Sequence, residues 1–215
     1  LEKIDELIIF LDQNKNSSHG HSEFINFFTK KLDILKSSHD FKNSVIVEIG
    51  CSREIIEGQN STNQLIRLAN NTSLKFIGID IDRDIIESLE RDYRMFENEW
   101  INGRGEIVLA ELESPIAAIY IDCYDFKHNM HSYIRQKKYI EEYGELINDE
   151  KCHQVHLKCV KAASNKIIDG GIIGLDDSWK ENEVWFGKGK KAIPWLLTNG
   201  WEITSTKNRC CILTK

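Results

Sequence analysis

Apolar and polar positions along this chain follow two rhythms, one helical and one of short continuous runs. Residues 1–14 place Ile4, Leu7, Ile8 and Leu11 at helical spacing, and after the polar break NKNSSHGHS a second amphipathic helix is predicted from Glu23 to Leu35. From residue 44 the rhythm changes. SVIVEIG (44–50) is a short β-branched run closed by glycine, the pattern of a strand buried on both faces. A helix over Thr62–Asn70 follows, then a strand in KFIGID (75–80), a helix over Asp84–Glu97, and strands in GEIVLAE (105–111) and AAIYIDC (117–123). A long polar and helical stretch precedes the fifth strand, GGIIGLDD (170–177). The tail GWEITSTKNRCCILTK predicts a hairpin turning at Lys207–Asn208.

Strands alternating with helices predict an α/β fold: a doubly wound, mostly parallel seven-stranded sheet with a C-terminal antiparallel hairpin. The expected division is a helical segment over 1–40, then one Rossmann-like domain over 41–215 carrying a helical insertion at about 124–168. Ligands of such sheets bind beyond the carboxyl ends of the strands. Those ends carry Glu48–Gly50, Asp80–Asp82, Glu111, Asp122–Asp125 and Asp176–Asp177. Acids gathered on one edge of a sheet are costly unless they bind something.

Composition narrows this little. The 215 residues suit one domain, and 41% hydrophobic with 29% charged content is that of a globular protein in water. A net charge of −6 argues against nucleic acid as partner, and no apolar run approaches the ~20 residues of a membrane span. Six cysteines in a chain of this size read as reduced thiols, so a cytoplasmic location is expected. The first residue is Leu1, which suits one part of a larger chain; a homodimer is equally compatible.

The motifs at the strand ends resemble those of the class I S-adenosylmethionine-dependent methyltransferases, over roughly residues 44–215. VIVEIGCS is similar to their first motif, an acid followed by glycine after the first strand, and Asp80 in FIGIDID matches the acid that holds the ribose hydroxyls. The resemblance implies S-adenosylmethionine as cofactor, with Glu48, Gly50, Ser52, Thr62, Asp80, Asp82 and Glu111 as its contacts. Glu111 falls where a polar residue meets the adenine. The chain departs from the family at the first loop, where about ten residues stand between Gly50 and Thr62. A phosphate-cradling G-x-G-x-x-G is absent there, which counts against a nicotinamide cofactor.

A narrower resemblance joins YIDCYDF and GLDDSW to the metal-dependent O-methyltransferases. It implies Asp122, Asp176 and Asp177 as ligands of a divalent metal, Mg²⁺ first among hard cations that prefer oxygen. Such a metal would lower the pKa of a substrate hydroxyl and fix its oxygen. If a histidine also ligates, a transition metal becomes the alternative.

CHQVHLKC (152–159) packs two cysteines and two histidines into eight positions. On a helix, Cys152, His156, Cys159 and Ala163 share one face, so the thiols are expected in the core. Two helical turns, ~10 Å, exceed the reach of a disulfide between Cys152 and Cys159. His153 or His156 is expected to serve as general base or metal ligand. Arg135, on a helix predicted from His131, is expected to clamp an anionic group of a small-molecule substrate, with Lys137 and Lys138 facing water. Trp179, Trp185 and Phe186 are expected in a loop walling the substrate. The function expected is methyl transfer to a small polar molecule, metal-assisted. The alternatives are a metal-dependent redox enzyme on the same fold and a non-catalytic small-molecule-binding domain.

Overall fold

The computed structural model describes residues 19–52, 60–128 and 131–215. The helix expected over residues 1–14 and most of the long first loop lie outside them. The first described helix, α1 (Gly20–Ser37), is followed by β1 (Val45–Ile49), α2 (Ser61–Thr72), β2 (Lys75–Asp80), α3 (Arg83–Asp92) and β3 (Asn98–Asn102). Then come α4 (Gly105–Glu111), β4 (Ile116–Ile121), α5 (Tyr133–Tyr143), α6 (Asp149–Ala163) and β5 (Ile167–Leu175). A small hairpin, β6 (Ser178–Glu181) and β7 (Val184–Gly187), leads through a 3-10 turn at Lys188–Lys190 to α7 (Ala192–Thr198). The chain closes with β8 (Glu202–Ser205) and β9 (Cys211–Thr214).

Seven strands form one sheet in the order β3-β2-β1-β4-β5-β9-β8. The first five run parallel, and β9 pairs antiparallel with both β5 and β8. The expected α/β architecture is therefore the one observed. Every residue of β1 and β4 is buried, as strands covered on both faces require. Phe24 and Phe28 of α1 and Leu65 of α2 pack on one face against Ile46, Ala118 and Ile172. Leu109 of α4, Val155 of α6 and Leu196 of α7 pack on the other against Val47, Ile119 and Ile173.

Three local expectations are corrected. GEIVLAE is not the third strand but the helix α4, and the strand is the preceding NEWIN, β3. Its Ile, Val and Leu have strand propensity, but Leu109 packs into the core as a helical residue. β3 escapes notice because it is a half-exposed edge strand with asparagine at both ends. That moves Glu111 to the last turn of a helix, exposed, instead of a strand end. The aromatic segment after β5 is a hairpin rather than a loop. Asn182 and Glu183 both take positive φ at its turn, which matches strand twist, and Trp185 points into the core. Lys138, finally, is half-buried rather than free in water: its ammonium pairs with Asp82.

The cysteines behave as expected. All six are buried and none is bonded to another. On α6 the side chains of Cys152, His156, Cys159 and Ala163 all lie in the core. Thiol titration of the unfolded, unreduced protein is expected to count all six as free. A count of four would mean that two had bridged, and Cys123 and Cys159, with sulfurs 3.8 Å apart, would be the first pair to test.

Candidate functional site

The strand order reverses between β1 and β4, and at that point the two connections leave the sheet in opposite directions. A cleft opens there, lined by Gly50, Asp80, Gly103, Gly105, Cys123 and the tyrosines Tyr124, Tyr139 and Tyr143. The first side of the cleft is backbone. Gly50 sits at φ 84°, and a Cβ there would lie 2.3 Å from the Asp122 carbonyl oxygen. Only glycine lets the chain turn this tightly between β1 and β4. Gly105 admits close approach of α4 to Ile49 in the same way.

Asp80 ends β2 and is buried at the cleft floor. The Cys51 amide donates to its Oδ2 at 3.0 Å and the Asp82 amide to its Oδ1 at 2.8 Å. The carboxylate is thus fixed in place by backbone donors. Asp82 has a different job. It caps α3 by accepting from the Asp84 amide at 3.2 Å and receives the Lys138 ammonium, tying α5 to the end of β2.

Glu48 lies within β1 but is not part of the cleft lining. It is fully buried beside α2, where the Ser61 hydroxyl donates to Oε1 at 2.5 Å while Oε2 has no hydrogen-bond partner among the described residues. Burial pushes its carboxyl up to about 8, against the opposing hydrogen bonds from Ser61 and Thr62. Ser52 and Thr62 close the first loop onto α2: the Ser52 amide donates to Thr62 Oγ1 at 2.7 Å. Of the residues expected at the cofactor, Gly50 and Asp80 come together in the cleft. Asp82, Ser52, Thr62 and Glu48 support its walls, and Glu111 stands apart on α4.

On the far side of the cleft, Arg135 of α5 donates through Nε to Asp125 Oδ2 at 2.6 Å and through Nη2 to the Tyr139 hydroxyl at 3.1 Å. Its guanidinium also lies 4.9 Å from the Tyr139 ring centre. Burial alone would lower its pKa, but the Asp125 bond outweighs that and raises it. These contacts make Arg135 a brace for the aromatic wall. The two histidines of α6 also part company. His156 is fully buried, with Nδ1 2.8 Å from the Cys152 carbonyl and Nε2 3.8 Å from the Cys123 sulfur. It is a satisfied core residue. His153 is buried, and its pKa is lowered by that burial and then by Lys190. Neither lines the cleft.

Asp122, at the end of β4, and Asp176 and Asp177, after β5, do converge. One oxygen of each lies within 4.8 Å of the others, and this is the only such carboxylate, histidine or thiol cluster among the described residues. Asp177 adopts φ 45°, a left-handed conformation unusual for a residue with a side chain. Asp176 is pushed up to about 7, first by burial and then by Asp122. The donor set suits a hard divalent cation, but a cation is already present. Lys188 is 5% exposed, and its ammonium contacts Asp122 and stands 3.3 Å from Asp177 Oδ2. Burial alone would lower its pKa; Asp122, Asp177 and Asp176 outweigh this and hold it well above the usual lysine value. Arg209 adds a second cation 3.4 Å from Asp177 Oδ1. The residues present therefore do not fit a metal with Lys188 in place.

Sequence reasoning missed Lys188, Gly103, Gly105 and the three tyrosines. Lys188 lies in FGKGKKA (186–192), a run that matches no phosphate-binding motif and so gives no local signal. The glycines of NGRG would have been found had the third strand been placed at 98–102.

No family model matches the chain, and no curated protein matches it. Solved structures do. The O-methyltransferase NovP superposes with a TM-score of 0.58 at 11% identity, over 90% of this chain and 80% of that one. A Clostridium thermocellum protein assigned provisionally as an rRNA methylase gives 0.51 at 13% identity, over 87% and 96%. Fibrillarin of Aeropyrum pernix, crystallised with natively bound S-adenosyl-L-methionine, gives 0.50 at 13%, over 80% and 66%. The fold is that of the class I S-adenosylmethionine-dependent methyltransferases. No helix among the described residues is long and apolar enough to cross a membrane.

Proposed function

We propose that the protein transfers a methyl group from S-adenosylmethionine to a small polar acceptor. The observation that carries this reading is Asp80: a buried carboxylate, held by two backbone amides, facing a cleft at the reversal of strand order in this fold. When bound, the cofactor supplies the methyl group on a sulfonium. The chain's own residues then do the rest. Asp80 accepts from the ribose hydroxyls, Gly50 and Gly105 let β1, β4 and α4 close up beside the cleft, and the tyrosine wall excludes water. Tyr124 packs edge-on against Tyr139 and Tyr143, with ring centres 4.6 and 4.9 Å away, so that wall is rigid.

A small acceptor agrees better with the net charge of −6 than a nucleic acid does. The acceptor side would be the aromatic and acidic rim beyond β4 and β5, where Phe126 and Trp179 meet at 6.5 Å beside Asp122. Metal assistance is not part of this proposal, because Lys188 already neutralises the acids that would hold the ion.

Calorimetric titration with S-adenosylmethionine and with its demethylated product tests the reading. Saturable heat at one equivalent is expected, and Asp80→Ala should weaken binding by about 1.5–3 kcal/mol, the worth of hydrogen bonds to a charged group. No heat from the wild type at millimolar ligand would refute the assignment.

A further inference from the structure

We infer that Lys188 is the resident cation of the Asp122–Asp176–Asp177 cluster, a built-in replacement for a divalent metal. The argument starts from the cost of the acids. Three carboxylates with oxygens this close repel one another and must be compensated by a cation, by protons, or by both. The fold supplies its own cation from a distant part of the chain. Lys188 enters from the 3-10 turn after β7 and is buried to 5% exposure, although lysine is almost never buried without partners. Its ammonium bridges Asp122 of one strand end and Asp177 of the next.

The placement is built and not incidental. The Lys188 amide donates to the Asp177 carbonyl at 3.0 Å, and the next amide, of Gly189, donates to Ser178 Oγ at 2.8 Å. Ser178 Oγ in turn donates to the Asp176 carbonyl at 2.9 Å. The lysine is thus locked by its backbone to the same turn whose side chains it neutralises. Phe126 covers the ammonium from one side, with its ring centre 5.9 Å away. Arg209, stacked 4.4 Å from Trp179, balances the outer oxygen of Asp177. Two cations against three acids leave little net charge to attract an ion. Resting on the methyl-transfer reading, the consequence is a reaction that needs no divalent metal.

The test reads metal binding directly, with neither cofactor nor acceptor present, so its outcome is independent of whether methyl transfer is the right function. Mn²⁺ is titrated into wild type, Lys188→Ala and Lys188→Gln, followed by electron paramagnetic resonance and by thermal melting. The wild type should bind no Mn²⁺ at millimolar concentration, and a chelator should leave its Tm unchanged. Removing the ammonium should open the carboxylate set. Both variants are then expected to bind Mn²⁺ at least tenfold more tightly than wild type and to melt higher with it. Adding Asp122→Asn should abolish that gain. If Lys188→Ala folds only when Mn²⁺ is present, that too supports the assignment. Stoichiometric, Asp122-dependent Mn²⁺ binding by the wild type would overturn it. So would folded Lys188 variants that gain no affinity.

Discussion

Glu48→Gln is expected to stabilise the protein increasingly as pH rises from about 4.5 to about 8. Glu48 is fully buried in β1, and burial lifts its carboxyl from 4.5 to about 8 in the folded chain. Below pH 4.5 the group is protonated in both states and costs nothing. Between the two values the unfolded chain releases the proton while the folded chain keeps it. The unfolded state then binds fewer protons, so stability falls as pH rises. Above about 8 both states are ionised and the difference is constant. At about 1.4 kcal/mol per pH unit, the ceiling on this loss is on the order of 5 kcal/mol. Glutamine keeps an acceptor for the Ser61 hydroxyl and carries no proton to lose. Asp176 titrates in the same direction in both proteins, so the difference between wild type and variant isolates Glu48. Urea unfolding at intervals from pH 4.5 to 8.5 measures it. Parallel stability curves for the two proteins would show that Glu48 is not a buried neutral acid.

Gly50→Ala is expected to cost about 2–5 kcal/mol and to remove ligand binding at the cleft. Two effects add. A residue with a side chain at φ 84° loses roughly 1–2 kcal/mol in the left-handed region. Its Cβ would also press on the Asp122 carbonyl oxygen at 2.3 Å, and overpacking of this kind costs about 1–3 kcal/mol. Relief requires β1 and β4 to part where the Asp122 amide donates to the Ile49 carbonyl. That shift would displace Cys51, whose amide positions Asp80. For a chain of this length each kcal/mol moves Tm by roughly 2–4 °C, so a drop of about 4–20 °C is expected by calorimetry. A Gly50→Ala protein that melts with wild type would mean the turn is not as tight as described.

The core strands were legible because they are covered on both faces. Short runs such as VIVEI, apolar but for Glu48, and IAAIYI have the length and β-branched content of strands buried on both faces. Gly50 and Asp80 were legible for a related reason: an acid or glycine directly after such a run must sit at the strand's carboxyl end. The same logic failed at Glu111. GEIVLAE and NEWIN trade appearances, since a short helix packed on a core can be β-branched and an edge strand can be polar. Local pattern carries no information about which of two neighbours reaches the sheet.

The linear pattern by itself determined the strand-and-helix alternation, the antiparallel end, the acids along one edge and the burial of Cys152 and Cys159. All of these follow from periodicity, which is a property of neighbours in the chain. Only the tertiary structure decided what the acids meet. The Lys188 ammonium contacts Asp122 across 66 positions of sequence, and Lys138 contacts Asp82 across 56. Likewise, Arg135 is occupied by Asp125, and His156 by its own helix and Cys123. Charge compensation depends on distance in space and on how much water has been removed. Neither quantity is written in the order of residues, so a constellation that reads as a metal site in one dimension folds into an ion pair in three.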